Sequence, residues 1–204
     1  MSKHYNTYLA LGDSYTIGEG LPLHDSFPYQ LVQILRNKGH HFNAPEIVAK
    51  TGWTTFELAE HILHNQLNEK YDFVTLLIGV NNQYRNLLAD YYKNDFEFLI
   101  KKAIHFSSEH PERVIVLSIP DWGVTPFAKG RDREKIRTEI DQFNKINKEL
   151  TDKYGAVYLD ITKTSREAAN DAGLLGDDKL HPSEKQYAIW VIEIADAMEK
   201  NLAK

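Results

Sequence analysis

The sequence predicts a three-layer α/β/α sandwich around a central, mainly five-stranded parallel sheet. Five short runs are almost wholly apolar without strict alternation, as strands buried on both faces require. Segments of helical period separate them, and strictly alternating strands and helices build parallel sheets covered on both faces. At 204 residues the chain is long enough for one sizeable core and short for two, so a single domain over 1–204 is expected.

In chain order the strands are expected at Tyr8 to Leu11, Glu46 to Ala49, Phe73 to Ile78, Val114 to Ile119 and Ala156 to Leu159. Phe96, Leu99, Ile100, Ala103 and Ile104 recur at threes and fours, as do Ile136, Ile140, Phe143, Ile146 and Leu150, which marks two crossover helices. Gly39 and Gly155 stand where helices stop. The last helix opens at "HPSEKQY", where Ser183 and Gln186 have capping-box spacing, and it carries Tyr187, Val191, Ile194 and Met198 on one stripe.

Composition narrows the function. A formal charge of −5 and an isoelectric point near 6.0 leave no basic footprint for nucleic acid, so DNA and RNA are not expected partners. Hydrophobic residues at 42% and charged residues at 26% suit a soluble globular chain rather than a disordered one. The chain contains no cysteine, which excludes disulfides, thiolate nucleophiles and cysteine-based zinc sites. No apolar stretch approaches ~20 residues and no secretory h-region precedes the first strand, so a cytoplasmic protein without an integral membrane segment is expected. His61 and His64 lie three apart on a predicted helix, but without a nearby carboxylate or third histidine they read as a helix face, and no metal is expected. Self-association is not legible in the sequence.

In a parallel sheet, ligands gather at the carboxyl ends of the strands. The loops on that rim open at Gly12, Lys50, Gly79, Pro120 and Asp160, and they carry "GDS", "TGWTT", "GVNNQYR" and "PDWGVTPF", with "DDKLHP" beyond the last strand. A serine, an asparagine and an Asp-x-x-His pair, far apart in sequence, are therefore candidates to meet. A serine hydroxyl attacks a carbonyl near neutral pH only when an imidazole removes its proton and a carboxylate orients that imidazole. Ser14, His181 and Asp178 fit those roles. The backbone N–H groups of Ser14 and Gly52 and the side-chain amide of Asn81 are candidates for the oxyanion hole. Asp13, beside the serine, suits a structural acid that ties the turn to nearby N–H groups. Trp53, Tyr84, Trp122 and Phe127 fall on rim loops as candidates for an apolar substrate wall, and Arg85 is a candidate to bind an anionic head group or to pair with an acid.

At these residues the sequence resembles the SGNH (GDSL) hydrolase family, whose name comes from Ser, Gly, Asn and His in four separated blocks. Gly12, Asp13, Ser14 and Gly18 match the first block, Gly52 the second, and Asp178-Lys179-Leu180-His181 the last; the third, usually G-x-N-D, reads Gly79-Val80-Asn81-Asn82. The resemblance implies a flavodoxin-like sandwich, ester cleavage without a cofactor, Ser14 as nucleophile, His181 as base, Asp178 rather than Asp177 as its orienting acid, and Ser14, Gly52 and Asn81 as oxyanion donors. Asn82 in place of the usual acid implies altered local hydrogen bonding rather than lost catalysis. The segments "SIPDWGVTPF" and "SREAANDAGLLGDDKLHPSEKQYAIW" are similar to bacterial lysophospholipase- or thioesterase-type acylhydrolases. A small-molecule acyl ester or thioester is thus the expected substrate. Acyl or acetyl transfer, or sugar O-acetyl hydrolysis, uses the same triad and is the alternative; a flavodoxin-like flavin carrier is the alternative of another class. No G-x-S-x-G elbow occurs, which argues against the α/β-hydrolase fold.

Overall fold

A computed structural model describes residues 4–202. Its sheet consists of β1 (Tyr8–Gly12), β2 (Glu46–Ala49), β3 (Phe73–Leu77), β4 (Val114–Leu117) and β5 (Val157–Leu159), all parallel in the order β2-β1-β3-β4-β5. β1, β3 and β4 are buried along their whole length, which is why they carry uninterrupted apolar runs. The register pairs Gly12 with both Ala49 and Leu77. The carboxyl ends of the three strands therefore finish level.

The main helices are α2 (Phe27–Asn37), α3 (Thr55–His64), α5 (Ala89–Phe106), α6 (Arg133–Tyr154) and α8 (Glu184–Leu202), with short α1 (Ser14–Ile17), α4 (Val80–Tyr84) and α7 (Thr162–Arg166) on the rim. α3, α5 and α6 pack in sequence on one another, and α2 packs on α8. The right-handed crossover rule assigns these two groups to opposite faces of the sheet. α2 buries Phe27, Leu31 and Leu35, and α8 buries Tyr187, Val191, Ile194 and Met198, each contributing about 1.5–3 kcal/mol of transfer free energy. α6 ends at Gly155, which is left-handed and accepts the closing turn.

The observed ends differ from the sequence reading in places with identifiable causes. β4 stops at Leu117 rather than Ile119, because the Asn144 side chain on α6 takes both backbone groups of Ile119: its Oδ1 accepts from the N–H at 2.7 Å and its Nδ2 donates to the carbonyl at 3.1 Å. β3 ends one residue early, and the Tyr92 hydroxyl donates to the freed carbonyl of Ile78. β1 runs on through Gly12. At α8 only half of the expected capping box forms, since the N–H of Ser183 is already donated to Leu174 and cannot receive Gln186. A complete capping box stands instead at α3, between Thr54 and Glu57, legible as the T-x-x-E of "TTFE".

Two glycines hold the rim together. A Cβ on Gly12 would lie 2.0 Å from Thr16 Oγ1 and 2.4 Å from the Leu77 carbonyl oxygen, so only glycine lets the chain turn this tightly from β1 into α1. Gly79 has φ +133°, and a Cβ there would lie 2.7 Å from Ile119 Cδ1 and from the Tyr92 ring. Gly20 also has positive φ but nothing within 4 Å. Gly79→Ala therefore lowers the unfolding free energy in urea by at least ~2 kcal/mol from strain plus overpacking, and Gly20→Ala costs only about 1 kcal/mol of backbone strain. Equal losses in the two variants would contradict the close approach at Gly79.

Candidate functional site

β1 and β3 are neighbours in the sheet, but the chain leaves β1 toward β2 on the opposite side, so the order reverses between them. That switch point opens a crevice at the carboxyl ends. Ser14 opens the helix after β1 and Asn81 lies in the first turn after β3, one on each side of it.

Asp13 N-caps α1 by accepting the N–H of Tyr15 at 3.0 Å and also takes a hydrogen bond from the N–H of Gly79, so one carboxyl ties the loops after β1 and β3 together. It is 1% exposed. Burial pushes its pKa up to about 7, although hydrogen bonds from the backbone of Tyr15, Gly79 and Asp13 itself favour the ionised form.

His181 arrives from the other end of the chain. The loop before α8 is pinched by a bridge between Leu175 and Pro182 and by the Gly176 N–H donating to the His181 carbonyl at 2.9 Å. Within it, Asp178 Oδ1 accepts the N–H groups of Leu180 and His181 at 2.9 and 3.0 Å, while Oδ2 lies 2.5 Å from His181 Nδ1. Partial burial pushes the Asp178 carboxyl up, but the bonds from the imidazole and the two backbone groups together outweigh it and leave its pKa below the ordinary carboxylate value. A carboxylate only accepts, so Nδ1 carries a proton toward Asp178, and in the neutral ring this leaves Nε2, 3.0 Å from Ser14 Oγ, as the acceptor. The ring is also fixed by Tyr15, whose centroid lies 5.3 Å away; Tyr15 is itself held through its carbonyl by the Tyr187 hydroxyl at 2.8 Å.

Ser14, His181, Gly52 and Asn81 all line one cavity of about 190 Å³. Asn81 Nδ2 donates to the Trp53 carbonyl at 3.0 Å, which uses one amide hydrogen and leaves the second for a ligand. The carbonyl of Gly52 accepts from Arg85 Nη2 at 2.6 Å, which anchors the peptide that follows. Tyr84, Trp122 and Phe127 line the cavity. Trp53 does not: its ring packs on His61 at 4.8 Å, and it serves the site through its carbonyl. Arg85 is not a lining residue either, because its guanidinium is held by Gly52 and by Glu57 at 3.3 Å. Sequence reasoning missed Tyr15, Thr51, Val80 and Leu180 in the lining; Val80 and Leu180 are apolar residues embedded in the third and fourth motif blocks, which was the available signal.

Asn82 has a structural answer as well. Its Oδ1 accepts the Thr55 N–H at 3.0 Å and its Nδ2 donates to Thr55 Oγ1 at 2.8 Å, which frees the Thr55 hydroxyl to donate to Asp95 Oδ2 at 3.2 Å. Asn82 thus joins Thr55 and, through it, Asp95 on α5 in one hydrogen-bonded chain. Among the described residues, no group of three or more His, Cys, Asp or Glu side chains is placed to hold a metal ion, and no helix is long and apolar enough to cross a membrane.

A serine, an imidazole and a carboxylate in line at the rim of a parallel sheet make a serine-hydrolase arrangement. The model of the GDSL-like Lipase/Acylhydrolase family matches residues 10–189, and the chain belongs to that family of ester-cleaving serine hydrolases. Among solved structures, the lipase/acylhydrolase from Enterococcus faecalis superposes with a TM-score of 0.75 at 20% identity, covering 96% of this chain and 96% of that one. TesA gives 0.74 at 16% identity over 95% of this chain and 98% of that one. The psychrotrophic esterase EstA from Pseudoalteromonas sp. gives 0.69 at 16% over 98% and 100%. At these identities the likeness establishes a shared fold. No curated protein matches the chain in sequence. Family membership replaces the flavin-carrier alternative.

The buried Asp13 gives stability a specific pH dependence. Its folded pKa, about 7, lies above its ordinary value of 3.8, so its stabilising contribution is complete below the ordinary value and is lost as pH rises through the folded one. Asp13→Asn does not titrate. The stability of the wild type relative to that variant therefore falls steadily between pH 4 and pH 7 in urea unfolding, and a constant difference across that range would show that Asp13 is ionised throughout.

Proposed function

We propose that the chain hydrolyses carboxylic esters through an acyl-enzyme formed on Ser14. The reading is carried by the alignment of Ser14 Oγ, His181 and Asp178, at 3.0 and 2.5 Å. His181 Nε2 takes the hydroxyl proton as Oγ attacks the carbonyl carbon, and Asp178 stabilises the imidazolium that forms. The carbonyl oxygen becomes negative between the N–H groups of Ser14 and Gly52 and the free amide hydrogen of Asn81. When the C–O bond to the alcohol breaks, His181 delivers the proton to the leaving oxygen. Water then attacks the acyl carbon, His181 takes its proton, and Ser14 leaves with that proton to restore the resting state.

Arg85 acts indirectly: by gripping the Gly52 carbonyl it sets the orientation of that segment of the oxyanion hole. The apolar lining supports an uncharged acyl group as the part of the substrate that enters the cavity, as an ester, with thioesters and lysophospholipids as the related substrates to compare.

On p-nitrophenyl acetate, Ser14→Ala and His181→Ala lower kcat by roughly 10⁵–10⁶-fold, and Asp178→Asn by about 10⁴-fold through the wrong imidazole tautomer. Asn81→Ala costs about 10²–10³-fold. Each variant is compared by steady-state kinetics after circular dichroism confirms folding. Near-normal turnover in folded Ser14→Ala or His181→Ala would refute the assignment.

A further inference from the structure

Behind the site lies a second cavity of about 160 Å³. It shares two wall residues with the first, Tyr84 and Trp122. The indole is buried and stands edge-on to Tyr84 at 5.4 Å and to Phe127 at 6.1 Å. Its Nε1 donates to Gln83 Oε1 at 2.7 Å, and Gln83 Nε2 donates to Glu139 Oε2 at 2.8 Å on α6. Gln83 is also buried, so the amide has no slack. Trp122 is thus latched by a chain of two hydrogen bonds to a helix outside the site.

The two chambers differ chemically. Val80, Leu180 and the three aromatic rings give the first an apolar lining beside Ser14; Arg131, Asp132, Lys135 and Glu139 border the second. An alkyl chain gains by filling the first, whereas the second presents it with charged groups whose desolvation is costly. The first is also small beside the ~300–1,000 Å³ of ordinary ligand sites.

Building on the acyl-enzyme reading, we propose that Trp122 is the end wall that restricts the enzyme to short acyl groups, and that Gln83 is a positioning residue that latches the wall through Glu139. Removing the indole gives the acyl chain the space that the ring itself fills between Tyr84 and Phe127, so a longer chain gains apolar room without entering the charged chamber. An extra methylene that fits an apolar pocket is worth about 10-fold or more in kcat/KM, so a short list of substrates reads the wall directly.

The test measures kcat/KM for p-nitrophenyl acetate, butyrate and octanoate, and for phenyl and p-nitrophenyl acetate to vary the leaving group alone. Wild type favours acetate and butyrate over octanoate. Trp122→Ala raises the octanoate-to-acetate ratio by at least about tenfold, and Gln83→Leu, which keeps the bulk but removes the latch, raises it by a smaller factor; the phenyl-to-p-nitrophenyl ratio stays put in both. If Trp122→Ala fails to fold by circular dichroism, Gln83→Leu decides alone. A preference for octanoate in wild type, or variants that lose all three acyl esters by one common factor, would overturn the wall. Hydrolysis that persists in Ser14→Ala would instead take down the acyl-enzyme reading on which the wall depends.

Discussion

The hydrogen bond between Ser14 Oγ and His181 Nε2 joins residues 167 apart in sequence, and the remaining architecture supplies the conditions for it. One partner must sit at the end of β1 and the other at the entrance of α8, and only a level sheet rim brings those points together. The register supplies the rim, with Gly12 beside Ala49 and Leu77. α2 and α8 supply the rest: their shared apolar face fixes α8 against the sheet, and with it the pinched loop that carries the imidazole. A shift of about 1 Å in either element would lengthen this bond past useful proton transfer.

Much of the surrounding polar structure holds the rim loops in place. Asp13 ties the loop after β1 to Gly79 after β3, Asn81 ties the β3 loop to Trp53 after β2, and Arg85 ties the same two loops through the Gly52 carbonyl. The Thr51 hydroxyl donates to Glu19, closing the link back to the loop after α1. Each loop thus takes its shape from its neighbours. Under the proposed mechanism this preorganisation matters more than any single contact, because donors that are already aimed need no reorganisation as charge develops on the carbonyl oxygen.

The sheet was legible because burial on both faces forces continuous apolar runs, and the main helices because their stripes have one period. Strand ends were less legible. Ile119 is as apolar as the strand before it, and only the distant Asn144 decides that its backbone leaves the ladder. The motif blocks located the residues that meet at the cavity, since chemistry of this kind demands particular side chains in a particular order. Trp53 and Arg85 show where such reading stops. Both lie on the right loops, yet which way a ring or guanidinium turns depends on partners such as His61 and Glu57 that no local pattern announces. Asn82 is a third case, because its substitution makes sense only once Thr55 and Asp95 are seen beside it.

The central claim is that one serine, made nucleophilic by its imidazole, does the chemistry. Incubating the folded protein with a fluorophosphonate, which loses fluoride as a serine oxygen attacks phosphorus, followed by peptide mass spectrometry, tests this most directly. The account predicts a single stoichiometric adduct on the peptide containing Ser14, formed faster than on any other hydroxyl of the protein. An adduct on a different serine, or none at all under conditions where the protein cleaves esters, would contradict it.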